Sequence, residues 1–220
     1  MSASVQISGM FRYLTKSLRS KRGDHQDLDV YFDEKFADEL ENWGTNQSTW
    51  PEIGFLLGGR SGLALDLACG SGRAYEFLKK NEKLEYHGCD ISATLIQRAV
   101  QRGIDARRLR VLDATKLDYP NKMFDFVFSI GSVEHFTESG LAATIFEAKR
   151  VCRGINFHMV PVAASGFDEG WITAKQSYWN NTERWWLDHF AQAFGDRVWI
   201  MNSKWADRRS RGIWLVSLSK

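Results

Sequence analysis

The chain has 220 residues, 44% of them hydrophobic and 25% charged, and carries a formal net charge of +2. That length suits one domain with a substantial core, and the balance is that of an ordinary soluble globular protein. So small a charge gives no argument for nucleic acid or an acidic partner, and none is expected. No apolar run approaches the roughly 18 residues of a membrane span, and the first residues lack the apolar core of a secretory signal. Cys69, Cys89 and Cys152 share no metal-type spacing. They predict reduced, mostly buried thiols in a cytoplasmic protein, with no metal site.

Residues 1 to about 28 are polar, with a basic amphipathic piece over 11–19. Such a piece either lies on an anionic membrane surface or is a loosely docked terminus. From 29 to 43, Tyr31, Phe32, Phe36, Leu40 and Trp43 recur at helical spacing. After a turn at 44–46, a second helix is predicted around 50–57, with Pro51 in its first turn and Gly58-Gly59 ending it.

Strands and helices then alternate. Strands are predicted at 63–68, 84–90, 109–113, 123–130 and 155–160, and helices at 72–80, 93–102 and 138–152, with Ser92 capping the second of these. That succession means a mostly parallel sheet covered on both faces. Beyond Pro161 comes a long irregular segment, 162–179, and a helix carrying Trp185, Trp186, Phe190, Ala193 and Phe194. Two last strands, 197–202 and 212–218, flank a charged loop and predict an antiparallel hairpin. Seven of the nine tryptophans fall after residue 170, which predicts an aromatic surface outside the central sheet.

In open α/β sheets, ligands sit beyond the C-terminal ends of the strands. Those ends read Asp66-Leu67-Ala68-Cys69-Gly70-Ser71-Gly72, then Asp90, then Asp113-Ala114, then Ser129 through His135. Asp90, about 20 residues beyond the Gly-rich turn, suits both hydroxyls of a ribose. Asp113 and Ala114 suit the border of an adenine. A dinucleotide fingerprint needs a third glycine for close helix–strand packing, and here that position is Tyr75. Asp66 suits an ammonium group better than a phosphate, so S-adenosyl-L-methionine fits better than NAD.

These segments, with Gly88-Cys89-Asp90-Ile91-Ser92 and the run from Phe124 to Phe136, resemble the ordered motifs of class I S-adenosylmethionine-dependent methyltransferases. The likeness is to the small-molecule branch that includes ubiquinone-pathway enzymes, and it covers about 55–160. It implies an α/β, Rossmann-like seven-stranded mostly parallel sheet with an antiparallel last strand, helices on both faces and an N-terminal helical cap. On that reading 1–58 is tail and cap, and 59–220 is the methyltransferase domain, with a substrate insertion near 161–180. Ala68 stands where many members have glycine, and Arg150-Val151-Cys152-Arg153-Gly154 lacks the usual Pro-Gly-Gly. The late residues Asp168 to Ile172, Tyr178 to Asn181 and Trp185-Trp186 loosely resemble bacterial methyltransferases found with polysaccharide-assembly enzymes.

The resemblance implies that Asp66 meets the methionine amino end and that Ala68, Cys69, Gly70 and Gly72 wrap the methionine portion. Asp90 takes the ribose, Asp113, Ala114 and Ile91 meet adenine, and Ser129 borders the site. His135 follows the fourth strand where acceptors approach, and histidine titrates in the range suited to a general base. Its alternative role is shaping the pocket, as is Glu134's. His158 is either a substrate contact or a core histidine; His87 and His189 read as structural. Tyr31 or Trp43 either stacks near the sulfonium or packs the cap. The expected reaction is methyl transfer to a small-molecule acceptor, favouring a hydroxyl of a sugar or glycan precursor. The alternatives are a protein or RNA acceptor and a non-catalytic cofactor-binding scaffold.

Overall fold

The computed structural model describes residues 28–43 and 49–219. The basic piece at 11–19, the turn at 44–46 and the side chain of Trp43 lie outside the described residues.

The sheet grows outward on both sides of its first strand. Gly62–Leu67 (β1) pairs in parallel with Leu84–Asp90 (β2) on one side and Phe124–Ile130 (β4) on the other. Leu109–Val111 (β3) continues past β2, and Cys152–Ala163 (β5) past β4. The late hairpin, Val198–Ala206 (β8) and Ser210–Leu218 (β9), adds on through β9, giving the order β3-β2-β1-β4-β5-β9-β8. β9 is antiparallel to both neighbours, so it alone reverses direction in this sheet. Chain direction fans out from the β1–β4 junction, and ligand crevices form at such a switch in strand order.

Side chains alternate between the two faces, as strand geometry requires. Ala64, Tyr86, Phe126 and Phe128 pack with Ile53 and Leu57 of a helix at Thr49–Leu57 and with Ile96 of a helix at Ala93–Gln101. Leu65, Leu67 and Val127 pack on the other face with Ala148 and Val151 of a helix at Glu138–Val151. A third cluster joins Val160, Val162, Ile213 and Leu215 to Trp186, Phe190 and Phe194 of a helix at Glu183–Phe194. In chain order we call Glu34–Trp43 α1, Thr49–Leu57 α2, a short helix at Tyr75–Leu78 α3, Ala93–Gln101 α4, Glu138–Val151 α5 and Glu183–Phe194 α6.

Several boundaries differ from expectation. The helix predicted over 72–80 shrinks to α3, because Gly70 and Gly72 take φ of +54° and +73° and the chain leaves them through tight turns. The third strand stops at Val111, where Asp113 turns the chain by accepting Thr115 N–H at 2.8 Å. β5 is twice as long as the predicted six residues, since it pairs with β9 over nine residue pairs. The segment 162–179 is not wholly irregular: Trp171–Ile172 (β6) and Tyr178–Trp179 (β7) form a two-stranded sheet of their own. The predicted caps hold, Ser92 Oγ accepting Leu95 N–H at 3.3 Å. All three cysteines are buried and unbridged.

α1 is tied to α4 by charge. Arg98 pairs with Glu34 and Asp38 at 2.8 Å each, and Arg102 with Glu41 at 2.6 Å.

Candidate functional site

A cavity of about 230 Å³ opens where β1, β2, β3 and β4 end. Its floor is the turn after β1. Ala68 there holds φ of +55° and Gly70 +54°, a region open to glycine and costing an alanine roughly 1–2 kcal/mol. A Cβ built on Gly70 meets nothing within 4 Å, so that glycine presents open space and bare backbone.

Asp90 braces the turn. Its Oδ2 accepts Gly70 N–H at 2.8 Å and its Oδ1 accepts Ser92 N–H at 2.9 Å. Burial raises its pKa, and the N–H groups of Ser92, Gly70 and Ile91 oppose that rise. The carboxylate is thereby fixed at the cavity wall. Ile91 lines the cavity beside it, followed by Asp113 and the buried Ala114. Asp113 spends Oδ1 on the N–H and hydroxyl of Thr115, each at 2.8 Å.

His135 closes the β4 side. Its Nδ1 lies 2.9 Å from the Ser177 carbonyl oxygen. A carbonyl only accepts, so Nδ1 carries the proton and a neutral ring leaves Nε2 bare. Burial lowers the ring to about 4, with the Ser177 and Gly131 carbonyls pulling the other way. Nε2 stands 3.8 Å from Glu134 Oε1. Glu134 is itself buried, its Oε2 lacks a hydrogen-bond partner, and burial pushes its carboxyl up to about 8.

The structure thus brings Ala68, Cys69, Gly70, Asp90, Ile91, Asp113, Ala114 and His135 to one cavity. Asp66, Gly72, Ser129 and His158 are not among its lining. Asp66 lies beneath the turn, where Tyr86 Oη donates to its Oδ2 at 2.7 Å. Burial raises its carboxyl to about 8, opposed by the Tyr86 bond and reinforced by Asp90. At Gly72 a Cβ would meet Ile104 Cδ1 at 2.4 Å and Ala99 Cβ at 3.3 Å, so this glycine serves close packing. Ser129 and His158 face each other across β4 and β5, Oγ to Nδ1 at 2.8 Å. His158 is 1% exposed, its ring 5.4 Å from that of Phe190, and burial holds its pKa down to about 3. Of the two open readings for His158, the core one fits this placement.

Other lining residues come from far along the chain. Tyr31, one of the two cap aromatics considered, contributes to the wall, as do Trp50 of α2 and Gln176 between β6 and β7. No local motif marks Trp50 or Gln176, because long-range packing alone brings them here. Among the described residues lining the cavity, Arg73 is the one Lys or Arg, against the acids Asp90 and Asp113, and it pairs with Glu41 at 3.9 Å. Among the described lining residues, acids and bare backbone outweigh cations, which suits a cationic adenosine ligand better than a pyrophosphate.

A family model described as a methyltransferase domain matches residues 64–154. Among curated proteins, "Probable tRNA methyltransferase 9B" of Bos taurus is 34% identical over 90 residues, 40% of this chain and 18% of that protein. The matched stretch therefore spans under a fifth of that relative's length. Among solved structures, the 1,6-didemethyltoxoflavin-N1-methyltransferase of Burkholderia thailandensis, with bound 1,6-didemethyltoxoflavin and S-adenosylhomocysteine, superposes at a TM-score of 0.66 and 14% identity. That match covers 99% of this chain and 92% of the other. A SAM-dependent methyltransferase from Methanosarcina mazei superposes at 0.65 with 16% identity, over 76% of this chain and 96% of that one. At such identities the two superpositions speak for the fold.

Proposed function

We propose that this chain, whose residues 64–154 match a methyltransferase-domain family model, is a class I S-adenosylmethionine-dependent methyltransferase that moves a methyl group from S-adenosylmethionine to a small-molecule acceptor. The observation that carries the choice of acceptor is the roof of the cavity. Tyr31 from the cap and Gln176 from the β6–β7 hairpin line the same space as Asp90 and meet through a 3.2 Å hydrogen bond from Gln176 Nε2 to Tyr31 Oη. A roofed cavity with one lining cation among the described residues suits a small acceptor better than a phosphate backbone, which calls for a basic groove.

When bound, S-adenosylmethionine supplies an electrophilic methyl on a sulfonium sulfur. In this reading Asp90 accepts from the ribose hydroxyls, Ala114 and Ile91 sandwich the adenine edge with Asp113 nearby, and the 68–70 backbone follows the methionine tail. Asp66 and Gly72 act one layer below, by holding the turn. The roof excludes water and aligns acceptor with donor, the main demand of an in-line displacement. His135 is neutral at physiological pH and, lowered by burial, a weak base, so it takes a proton only in step with methyl transfer. The same reading makes 1–58 tail and cap, 59–220 the catalytic domain and 161–180 its acceptor-side insertion.

A hydroxyl of a sugar or glycan precursor is the acceptor we favour. Its support is the partly exposed row Trp171, Trp179 and Trp185, with successive ring centroids 5.1 Å apart, anchored by Trp179 Nε1 donating to Phe136 O at 2.9 Å. Aromatic faces of this kind stack on the apolar faces of sugars. The buried free thiols support a cytoplasmic setting. The second reading, an RNA acceptor, rests on the Bos taurus relative. Release of S-adenosylhomocysteine, measured against pooled sugars and sugar nucleotides and against total tRNA, separates them. Turnover confined to tRNA overturns the small-molecule assignment, and none with any pool favours a non-catalytic binding protein.

A further inference from the structure

Three consecutive residues at the tip between β6 and β7 each bind a different part of the site. Lys175 Nζ pairs with Glu39 of α1 at 2.7 Å and lies 5.3 Å from the Phe36 ring centroid. Gln176 bonds Tyr31, and the Ser177 carbonyl accepts from His135 Nδ1. The Tyr178 ring adds an edge contact to the imidazole at 6.3 Å. One short hairpin thus joins the cap, the roof of the cavity and the one histidine among the described residues of its lining.

We propose that this tip is a positioning device for acceptor deprotonation: Ser177 fixes the tautomer of His135, and Lys175 and Gln176 engage it when the cap closes. The inference rests on the methyltransferase reading and extends it to the acceptor side. With Nδ1–H spent on Ser177 O, the lone pair of Nε2 is the ring's free acceptor. As the bond from acceptor oxygen to methyl carbon forms, the carbon–sulfur bond breaks and its electron pair stays on sulfur. The hydroxyl proton passes to Nε2. The imidazolium so formed is held by the Ser177 carbonyl on one side and faces Glu134 Oε1, 3.8 Å from Nε2, on the other. The proton then leaves to solvent when the roof opens. An open tip would let the ring take the Nε2–H tautomer that solvated histidine prefers, which has no lone pair at that nitrogen. Acid–base function is thereby coupled to closure.

The test is nitrogen-15 NMR of the full chain labelled at histidine, at pH 7, with the His135 signals assigned by their loss in His135→Asn. The expected wild-type pattern is a protonated Nδ1 and an unprotonated Nε2. The double variant Lys175→Ala with Gln176→Ala alters two partly exposed side chains and is expected to fold. It should shift His135 toward the Nε2–H form and speed amide exchange at 174–178. On an acceptor from the turnover screen, its kcat should fall by about 10-fold or more, with a smaller change in KM for S-adenosylmethionine. An Nε2–H ring or an imidazolium in the wild type overturns the proposal, as does a double variant with an unaltered histidine spectrum. A chain that shows the expected tautomer but binds no S-adenosylhomocysteine overturns the methyltransferase reading and the proton-accepting role together.

Discussion

Asp90 shows how one side chain holds a turn at a cavity wall. Its two oxygens already hold Gly70 N–H and Ser92 N–H, so the carboxylate is immobile before anything binds. Asp90→Asn keeps the packing but loses charge and one acceptor; binding of S-adenosylhomocysteine, read by calorimetry, should weaken about 10- to 100-fold, as hydrogen bonds to charged groups are worth roughly 1.5–3 kcal/mol. Four other buried groups set the response to pH. Asp66 and Glu134 titrate at about 8 in the fold, above the usual carboxyl range, so the stability they lend is present in acid and lost as pH rises toward 8. His135 and His158 titrate at about 4 and about 3, below the usual 6.5, so theirs is present above 6.5 and lost as pH falls through those values. The opposing slopes leave a plateau between about pH 4 and 6.5 and a decline from there to 8. Thermal melts across that range should show it, with Asp66→Asn flattening the alkaline decline; an unchanged alkaline slope in that variant would count against a raised Asp66. At this scale the sequence was legible where a residue's role is local: Asp90, Ala114 and His135 stand at strand ends and reach the cavity. Ser129 and His158, also near strand ends, instead bond each other across the ladder, the core placement being one of the two readings open for His158.

Among elements, α1 depends on charge more than on grease. Arg102 donates to Glu41 at 2.6 Å and Glu76 at 2.5 Å, and its Nε donates to the Ser71 carbonyl at 2.9 Å. It thus links the cap, α3 and the turn that floors the cavity. Arg102→Ala removes a partner from Glu41, Glu76 and the Ser71 carbonyl, and should cost about 1–3 kcal/mol in urea unfolding. It should also weaken cofactor binding, because Ser71 is part of the cavity wall. Unchanged affinity together with unchanged stability would show that the cap does not steady the turn. The periodic apolar pattern made α1, α2, α4 and α5 legible, whereas α3 was overcalled because two positive-φ glycines consume the residues that continue its pattern. The β6–β7 hairpin went unread, its two-residue strands being too short to show alternation.

For the molecule as a whole, ligand and fold are linked by mass action. S-adenosylhomocysteine at 100 times its dissociation constant adds about 2.7 kcal/mol, which for a chain of this length raises the melting temperature by roughly 5–11 °C. NAD at the same concentration should leave the melt where it was, and a shift with NAD alone would reverse the choice of cofactor. The mostly parallel sheet was legible because strands and helices alternate with little ambiguity; the roof was not, because Tyr31 and Gln176 lie 145 residues apart. The reversed strand has a consequence for how such a chain is made. β8 leaves the ribosome before β9, yet it joins the sheet only through β9, which also covers the long flank of β5. Until Leu218 has emerged, the nascent protein presents an open, apolar β5 margin and a β8 with nowhere to dock. Its most adhesive moment during synthesis therefore comes late, after the segments that build the nucleotide crevice are already out, and it is there that a chaperone has most to protect.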